Sequence, residues 1–298
     1  MTVLRVIATH TFREAVTQPL FPLLLVAGSA VLGLYGLLPF FTLGEDVVMY
    51  KAVGLDVVIA IALILGVIAA GRTVHDEIED RTMLTLMSKP VGRGEALVGK
   101  FLGLFAAVGL AVLTLGIVMA VLTWRRIPGD FNLPPDPILT TQITQLGDLR
   151  SMHLAGLWPQ LVLAWLQVGT LVAIGVALST RFGIALTLPA TLLLYVAGNL
   201  TAYLDIAFAS GSWPVAILGQ GVNTLLPFLR VFDLTDHTVY GTIGVGGTSF
   251  AGDPNAPGVA NVWLYVVTAL GYFVAYVTFI LLLGRASFVT RDLGGNEG

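Results

Sequence analysis

The chain has 298 residues, of which 56% are hydrophobic and 11% charged, and its formal net charge is −3. A mean hydropathy of +0.88 excludes a soluble globular domain, and the slightly acidic balance removes the electrostatic case for nucleic acid. With no cysteine in the chain, disulfides, thiolate chemistry and cysteine-ligated zinc are excluded as well.

The first 16 residues carry an amphipathic pattern. Leu4, Ile7, Ala8, Thr11 and Ala15 share one face at i, i+3, i+4 spacing, while Arg5, Thr9 and Arg13 share another. Such a helix is expected to lie in the cytoplasmic interface before the chain turns at Pro19. The plainer alternative is a basic stretch that only aids insertion.

Six stretches then reach the roughly 20 apolar residues needed to cross ~30 Å of hydrocarbon. They are 19–43, 52–71, 97–124, 155–180, 182–204 and 260–284. All are rich in Leu, Ala, Val and Gly and lack the period-2 alternation of barrel strands, so the expected class is an all-α integral membrane protein with six transmembrane helices. Pro22, Pro39, Pro159 and Pro189 fall near ends or turns of these spans, where membrane helices tolerate proline. The first run exceeds the roughly 7–15-residue core of a signal peptide and is expected to be retained.

The connections differ in character. Between the second and third spans lies a charged run, Asp76-Glu77-Ile78-Glu79-Asp80-Arg81-Thr82, leading into Met83-Leu84-Thr85-Leu86-Met87-Ser88-Lys89-Pro90-Val91-Gly92-Arg93. Acids at 76, 77, 79 and 80 suit the positive end of a helix, Met83, Leu84, Leu86 and Met87 give its next turn an apolar surface, and Pro90 ends it. On these grounds the run is either a short knob that inserts into a partner's groove or a solvated loop whose bases only enforce topology. The outer segment 125–154, with Pro128, Pro134, Pro135 and Pro137, reads as an extended loop with one short helix. Within 205–259, the uncharged stretch 206–229 is long enough for a seventh span. Its Ser, Gly, Asn and Pro content favours a re-entrant or interfacial segment between the last two spans, with Trp213 at headgroup level. The remainder, 230–259, reads as irregular loop.

Orientation follows from the basic residues. With both termini in the cytoplasm, the inside holds Arg5, Arg13, Arg72, Arg81, Lys89, Arg93, Lys100, Arg181, Arg285 and Arg291, ten of the 15 Lys and Arg residues. The outside holds Lys51, Arg125, Arg126, Arg150 and Arg230. This split places the charged run 76–93 in the cytoplasm.

Other chemistries find little support. Gly94-Glu95-Ala96-Leu97-Val98-Gly99-Lys100-Phe101 nearly matches a P-loop, but Phe101 stands where a Ser or Thr should ligate Mg²⁺, and no strand precedes it. Gly99 and Gly103 form a G-x-x-x-G spacing that allows close helix packing. His10, His75, His153 and His237 are scattered, with no metal-ligand spacing. Asp56 and Asp205 stand toward outer span ends and read as interface residues, not a catalytic dyad. The polar residues deep in spans, Gln160, Gln167 and Asn199, are uncharged, whereas ion-coupled transport favours ionisable groups near the midplane. Interhelical hydrogen bonding accounts for them.

The run Glu77-x-Glu79-x-Arg81-Thr82, followed by Leu86-x-Ser88-x-Pro90-Val91-x-Arg93 and Gly99-Lys100, resembles the intracellular loop of ABC-2 type transporter permeases. The order of elements over the whole chain is similar too, as is the ending Arg285…Phe288-x-x-Arg291-Asp292. Two departures, Asp80-Arg81-Thr82 where many members have glycine before the threonine and the longer outer segment 125–154, concern subfamily and substrate. The resemblance implies a single transmembrane domain over 1–298, with an elbow helix at 1–16, a cytoplasmic coupling loop at 76–93 and extracytoplasmic segments at 125–154 and 205–259. It implies a non-catalytic subunit that docks cytoplasmic ATPase subunits through Glu77, Glu79, Arg81, Thr82, Met83, Leu86, Met87, Ser88, Lys89, Pro90 and Arg93. ATP and Mg²⁺ would then sit on the ATPase, with no cofactor in this chain. It further implies a second permease copy or homologue as partner, residence in a bacterial cytoplasmic (inner) membrane, and export. The alternatives are an ion-coupled secondary transporter and a non-transporting anchor or scaffold.

Overall fold

The computed structural model describes residues 2–37, 46–79, 92–130, 140–200, 227–235, 238 and 259–289, and every long element among them is a helix. In chain order these are α1 (Thr2–Thr17), α2 (Leu20–Leu37), α3 (Asp46–Glu79), α4 (Arg93–Asp130), α5 (Thr140–Ser179), α6 (Ile184–Asn199) and α7 (Val259–Val289), with a 3₁₀ turn at Leu229–Phe232 before α7. Five of them contain stretches long and apolar enough to cross a membrane: Leu20–Leu37, Asp46–Arg72, Gly94–Ile127, Arg150–Ser179 and Asn261–Ser287. The fifth expected span, 182–204, corresponds to α6, whose 16 residues cover about 24 Å at 1.5 Å per residue. Most of the expected re-entrant segment lies outside the described residues.

Three helices run well past the expected span limits. α3 begins at Asp46, whose carboxylate suits the positive helix end, and continues to Glu79 where the expected span stops at 71. α4 carries on through Arg125, Arg126 and Pro128 to Asp130. α5 starts at Thr140, fifteen residues before the expected 155, so Pro159 lies inside it. The outer segment 125–154 is therefore helical over most of its length, beyond the extended loop with one short helix that the sequence suggests. Its residues 131–139 lie outside the described residues.

α5 is the hub, packing against α3, α4, α6 and α7. Its second half is mostly apolar, with Leu163, Ala164, Val168, Leu171 and Val172 fully buried, as expected of a helix surrounded by others. Small residues set the spacing. A Cβ at Gly66 of α3 would stand 2.5 Å from Val172 of α5 and 3.0 Å from Val108 of α4, so the three helices meet there. Where no hydrophobic force drives association, such close approach makes the dispersion contacts that hold helices together.

The bundle has two chemically distinct ends. At one, Gly71 of α3 meets Ile184 of α6, Gly284 of α7 meets Ala177 of α5 and Leu97 of α4, and Gly99 of α4 meets Ile7 of α1. Exposed Arg5, Arg13, Arg72, Arg181 and Arg285 gather at this end. At the other, Arg126 lies 3.7 Å from Asp46 and donates to Tyr35 O at 2.9 Å, while Arg150 sits over the Trp124 ring. The basic residues assigned from sequence to opposite sides thus separate to opposite ends among the described residues.

Candidate functional site

The charged connection joins the ends of two core helices at the arginine-rich end. Asp76, Glu77 and Glu79 occupy the last turn of α3, which corrects the expectation that they head a new helix. Carboxylates at a helix C-terminus oppose its dipole, an effect of roughly 0.3–1 kcal/mol each, so helix stability does not explain the acids. Arg93 is the first residue of α4. Arg81, Thr82, Met83, Leu86, Met87, Ser88, Lys89 and Pro90 lie outside the described residues.

Gly92 immediately precedes α4, and its carbonyl accepts from Ala96 N–H at 3.1 Å. Glu95, in the first turn, faces the positive helix end. The near-match to a P-loop, Gly94 to Phe101, is wound into this helix with Phe101 buried. It offers no open loop of backbone N–H groups of the kind that cradles phosphate.

The Gly99/Gly103 spacing is the seat of α1. A Cβ at Gly99 would stand 2.9 Å from Ile7 Cγ2, and one at Gly103 would stand 2.5 Å from Ala8 O and 2.8 Å from Thr11 Cβ. Ile7, Thr11 and Ala15 are buried and Arg5, Thr9 and Arg13 exposed, matching the two faces read from sequence. The apolar face is covered by protein: α1 runs alongside the first third of α4.

On the flank between α4 and α7 lies a cavity of about 810 Å³, with Gly92, Gly94, Glu95 and Arg285 at one end and Leu102, Phe273, Val274 and Val277 along its length. An aromatic stack bounds it. Phe105 lies 5.1 Å from Phe273 and 4.3 Å from Trp165, and the Trp165 indole N–H donates to Phe105 O at 2.9 Å. Beyond the stack is a second groove of about 890 Å³, lined by Leu110, Leu113, Trp158, Trp165 and Trp263 among others and containing no charged side chain.

At the opposite end, a polar cluster pins the segment after the 3₁₀ turn. Lys51 is 1% exposed, and its Nζ donates to Thr238 O at 3.3 Å. Gln160 Oε1 accepts from Leu234 N–H and Thr238 Oγ1–H, both at 3.3 Å. Gln167 donates to Asn199 Oδ1 at 3.4 Å, joining α5 to α6. The two glutamines and the asparagine therefore tie elements together. Lys51 was placed by sequence in a flanking segment, because the hydropathy window opened at 52. Its burial follows from α3 starting six residues earlier. Asp56 is exposed, and Asp205 lies outside the described residues. Among the described residues, no group of three His, Asp or Glu could hold a metal ion.

Comparison with curated proteins finds no match. Comparison with protein families matches residues 6–293 to the ABC-2 family transporter proteins. A match over nearly the whole chain, whose described residues form a helical bundle with five membrane-length helices, makes this protein a member of the ABC-2 transporter family.

Proposed function

We propose that this permease exports its substrate across a bacterial cytoplasmic membrane, driven by a separate ATPase that docks on the 76–93 connection. Membership of the ABC-2 family makes the chain a membrane-spanning transporter subunit and implies association with ABC ATPase components. The observation that carries the finer reading is the placement of the connection. It joins the ends of α3 and α4 at the end of the bundle where Arg5, Arg13, Arg72, Arg181 and Arg285 are exposed, and the positive-inside rule assigns that end to the cytoplasm. Six spans, with α6 as the fifth, bring both termini to that side. Glu77, Glu79, Arg81, Thr82, Met83, Leu86, Met87, Ser88, Lys89, Pro90 and Arg93 form the docking surface, ATP and Mg²⁺ are held by the ATPase, and a second permease copy or homologue completes the membrane unit.

Purification in mild detergent tests the partnership: an ATPase with an intact Walker A motif should accompany the chain, and a lone, fully active chain would refute it. Replacing Glu79 and Arg81 by Ala should leave membrane insertion intact while ATP hydrolysis no longer drives transport. Unchanged coupling would remove the role assigned to the connection.

A further inference from the structure

We propose that the cavity between α4 and α7 binds a phospholipid whose zwitterionic headgroup carries a primary ammonium, with the phosphate on Arg285 and the ammonium on Glu95. Both residues line the same end of the cavity and both are exposed. No ion pair joins them among the described residues. Each side chain lies close to a glycine near the start of α4. A Cβ at Gly94 would stand 3.0 Å from Arg285 Cδ and 3.3 Å from its Nε, so the arginine stem lies directly across the first turn of α4. Glu95 folds back over Gly92, its Cγ 3.8 Å from where a Cβ would be. The first turn of α4 thus carries an anion, and the arginine of α7 that crosses this turn brings a cation to the same end of the cavity.

The rest of the cavity has the chemistry and depth of one leaflet. Below the charged mouth the walls are Leu102, Phe273, Val274, Val277 and Leu281, and the Phe105–Phe273 stack closes the far end. Phe273 stands twelve residues before Arg285 on α7, about 18 Å along the helix, close to half of the ~30 Å hydrocarbon core. Arg285 and Glu95 fall within two residues of the ends of their apolar spans, Asn261–Ser287 and Gly94–Ile127, which is headgroup level. Guanidinium binds phosphate by paired charge-assisted hydrogen bonds. A carboxylate next to it disfavours a purely anionic headgroup and favours one with an N–H-bearing cation. The second groove on this flank has no charged lining residue, so it takes acyl chains without headgroup preference. The proposal requires only that the bundle lie in a bilayer, and it stands apart from the ATPase and the direction of transport.

The test is native mass spectrometry of the full-length protein titrated with phosphatidylethanolamine, phosphatidylcholine and phosphatidylglycerol of identical acyl chains. Phosphatidylethanolamine should be retained at least tenfold better than either of the others. Arg285→Gln should reduce its retention about tenfold, and Glu95→Gln should erase the preference over phosphatidylcholine while improving phosphatidylglycerol. Leu282→Trp, at an exposed position of the cavity wall, should weaken retention of ethanolamine lipid without touching either charge. It keeps the test decisive if a charge variant fails to fold, as judged by gel filtration. Soluble phosphoethanolamine should not compete, because it lacks the chains that fill the trough. Equal retention of all three lipids, an unchanged order in Glu95→Gln, or full competition by the soluble headgroup would overturn the proposal and leave an unspecific lipid shell.

Discussion

The Gly103 seam offers the sharpest test of how α1 is held. Adding one methyl in Gly103→Ala would put a carbon 2.5 Å from Ala8 O, 2.8 Å from Thr11 Cβ and 3.0 Å from Phe12 N. Two of these are backbone atoms of a helix, which cannot rotate aside as a side-chain tip can. To restore an ordinary separation of ~3.5 Å, α1 must withdraw by about 1 Å along its contact with α4. A gap of that size forfeits roughly a quarter to a half of each dispersion contact it opens, and overpacking of this kind costs typically 1–3 kcal/mol. Against this stands the gain in helix propensity from Gly to Ala, up to about 1 kcal/mol.

Two control glycines separate the terms. Gly33 in α2 and Gly271 in α7 have no atom within 4 Å of an added Cβ, so Gly33→Ala and Gly271→Ala receive the propensity gain alone. Gly103→Ala should therefore be less stable than either control by about 1–3 kcal/mol, roughly 5- to 150-fold in the equilibrium that releases α1. A single cysteine at position 11 reports that release, because Thr11 is 3% exposed and the chain has no cysteine of its own. Thr11→Cys should resist a water-soluble maleimide in the parent and label faster in the Gly103→Ala background by that factor. If the thiol stays equally protected and Gly103→Ala melts with the controls, α1 is not held by close approach at this seam.

Two further outcomes probe other contacts. Gln160→Leu removes the acceptor shared by Leu234 N–H and Thr238 Oγ1–H; an unpaired buried donor costs roughly 1–3 kcal/mol, so amide exchange at Leu234 should accelerate about 5- to 150-fold by hydrogen-exchange mass spectrometry. Trp165→Phe keeps an aromatic ring against Phe105 but loses the indole bond to Phe105 O, so its cost should stay near 0.5–1.5 kcal/mol, whereas Trp165→Ala also empties ring volume and should cost about 3–5 kcal/mol, read as ordered melting midpoints in one detergent.

The parts legible in sequence were those governed by periodicity and transfer into hydrocarbon. The covered face of α1, with Ile7, Thr11 and Ala15 buried and Leu4 and Ala8 half-buried, follows from 3.6-residue spacing, and the five membrane-length helices found among the described residues fall where apolar runs lie. Helix ends were not legible from hydropathy, because a hydropathy window measures where hydrocarbon would end, whereas a helix continues for as long as its backbone bonds propagate. Hence 125–154 reads in sequence as an extended loop with one short helix, although α4 runs on to Asp130 and Thr140–Leu154 begins α5. Asp76–Glu79 looked like the start of a helix for a different reason, the preference of carboxylates for the positive helix end, whereas they close α3. The partner of α1 was hidden for another reason: amphipathicity shows that a face is buried but not against what. The signal for α4 as that partner was the Gly99/Gly103 spacing, too common among membrane helices to decide the matter alone.

Correcting the acids from helix start to helix end changes what a push on the connection would do. Had they headed a separate short helix after a flexible joint, force applied there could dissipate in the joint before reaching a span. α3 is instead continuous from Asp46 to Glu79, so the acidic turn belongs to the same helix that reaches Lys51 and the polar cluster at the far end. α4 is likewise continuous from Arg93 to Asp130, and it carries α1 on the Gly99/Gly103 seam and touches α7 through the Phe105–Phe273 stack. Under the proposed docking, a partner moving the 76–93 connection would therefore displace two core helices directly. The elements riding with α4 would follow as long as close packing holds, which is why the Gly103 seam and the α4–α7 flank are the places where a small change in fit should be felt at a distance.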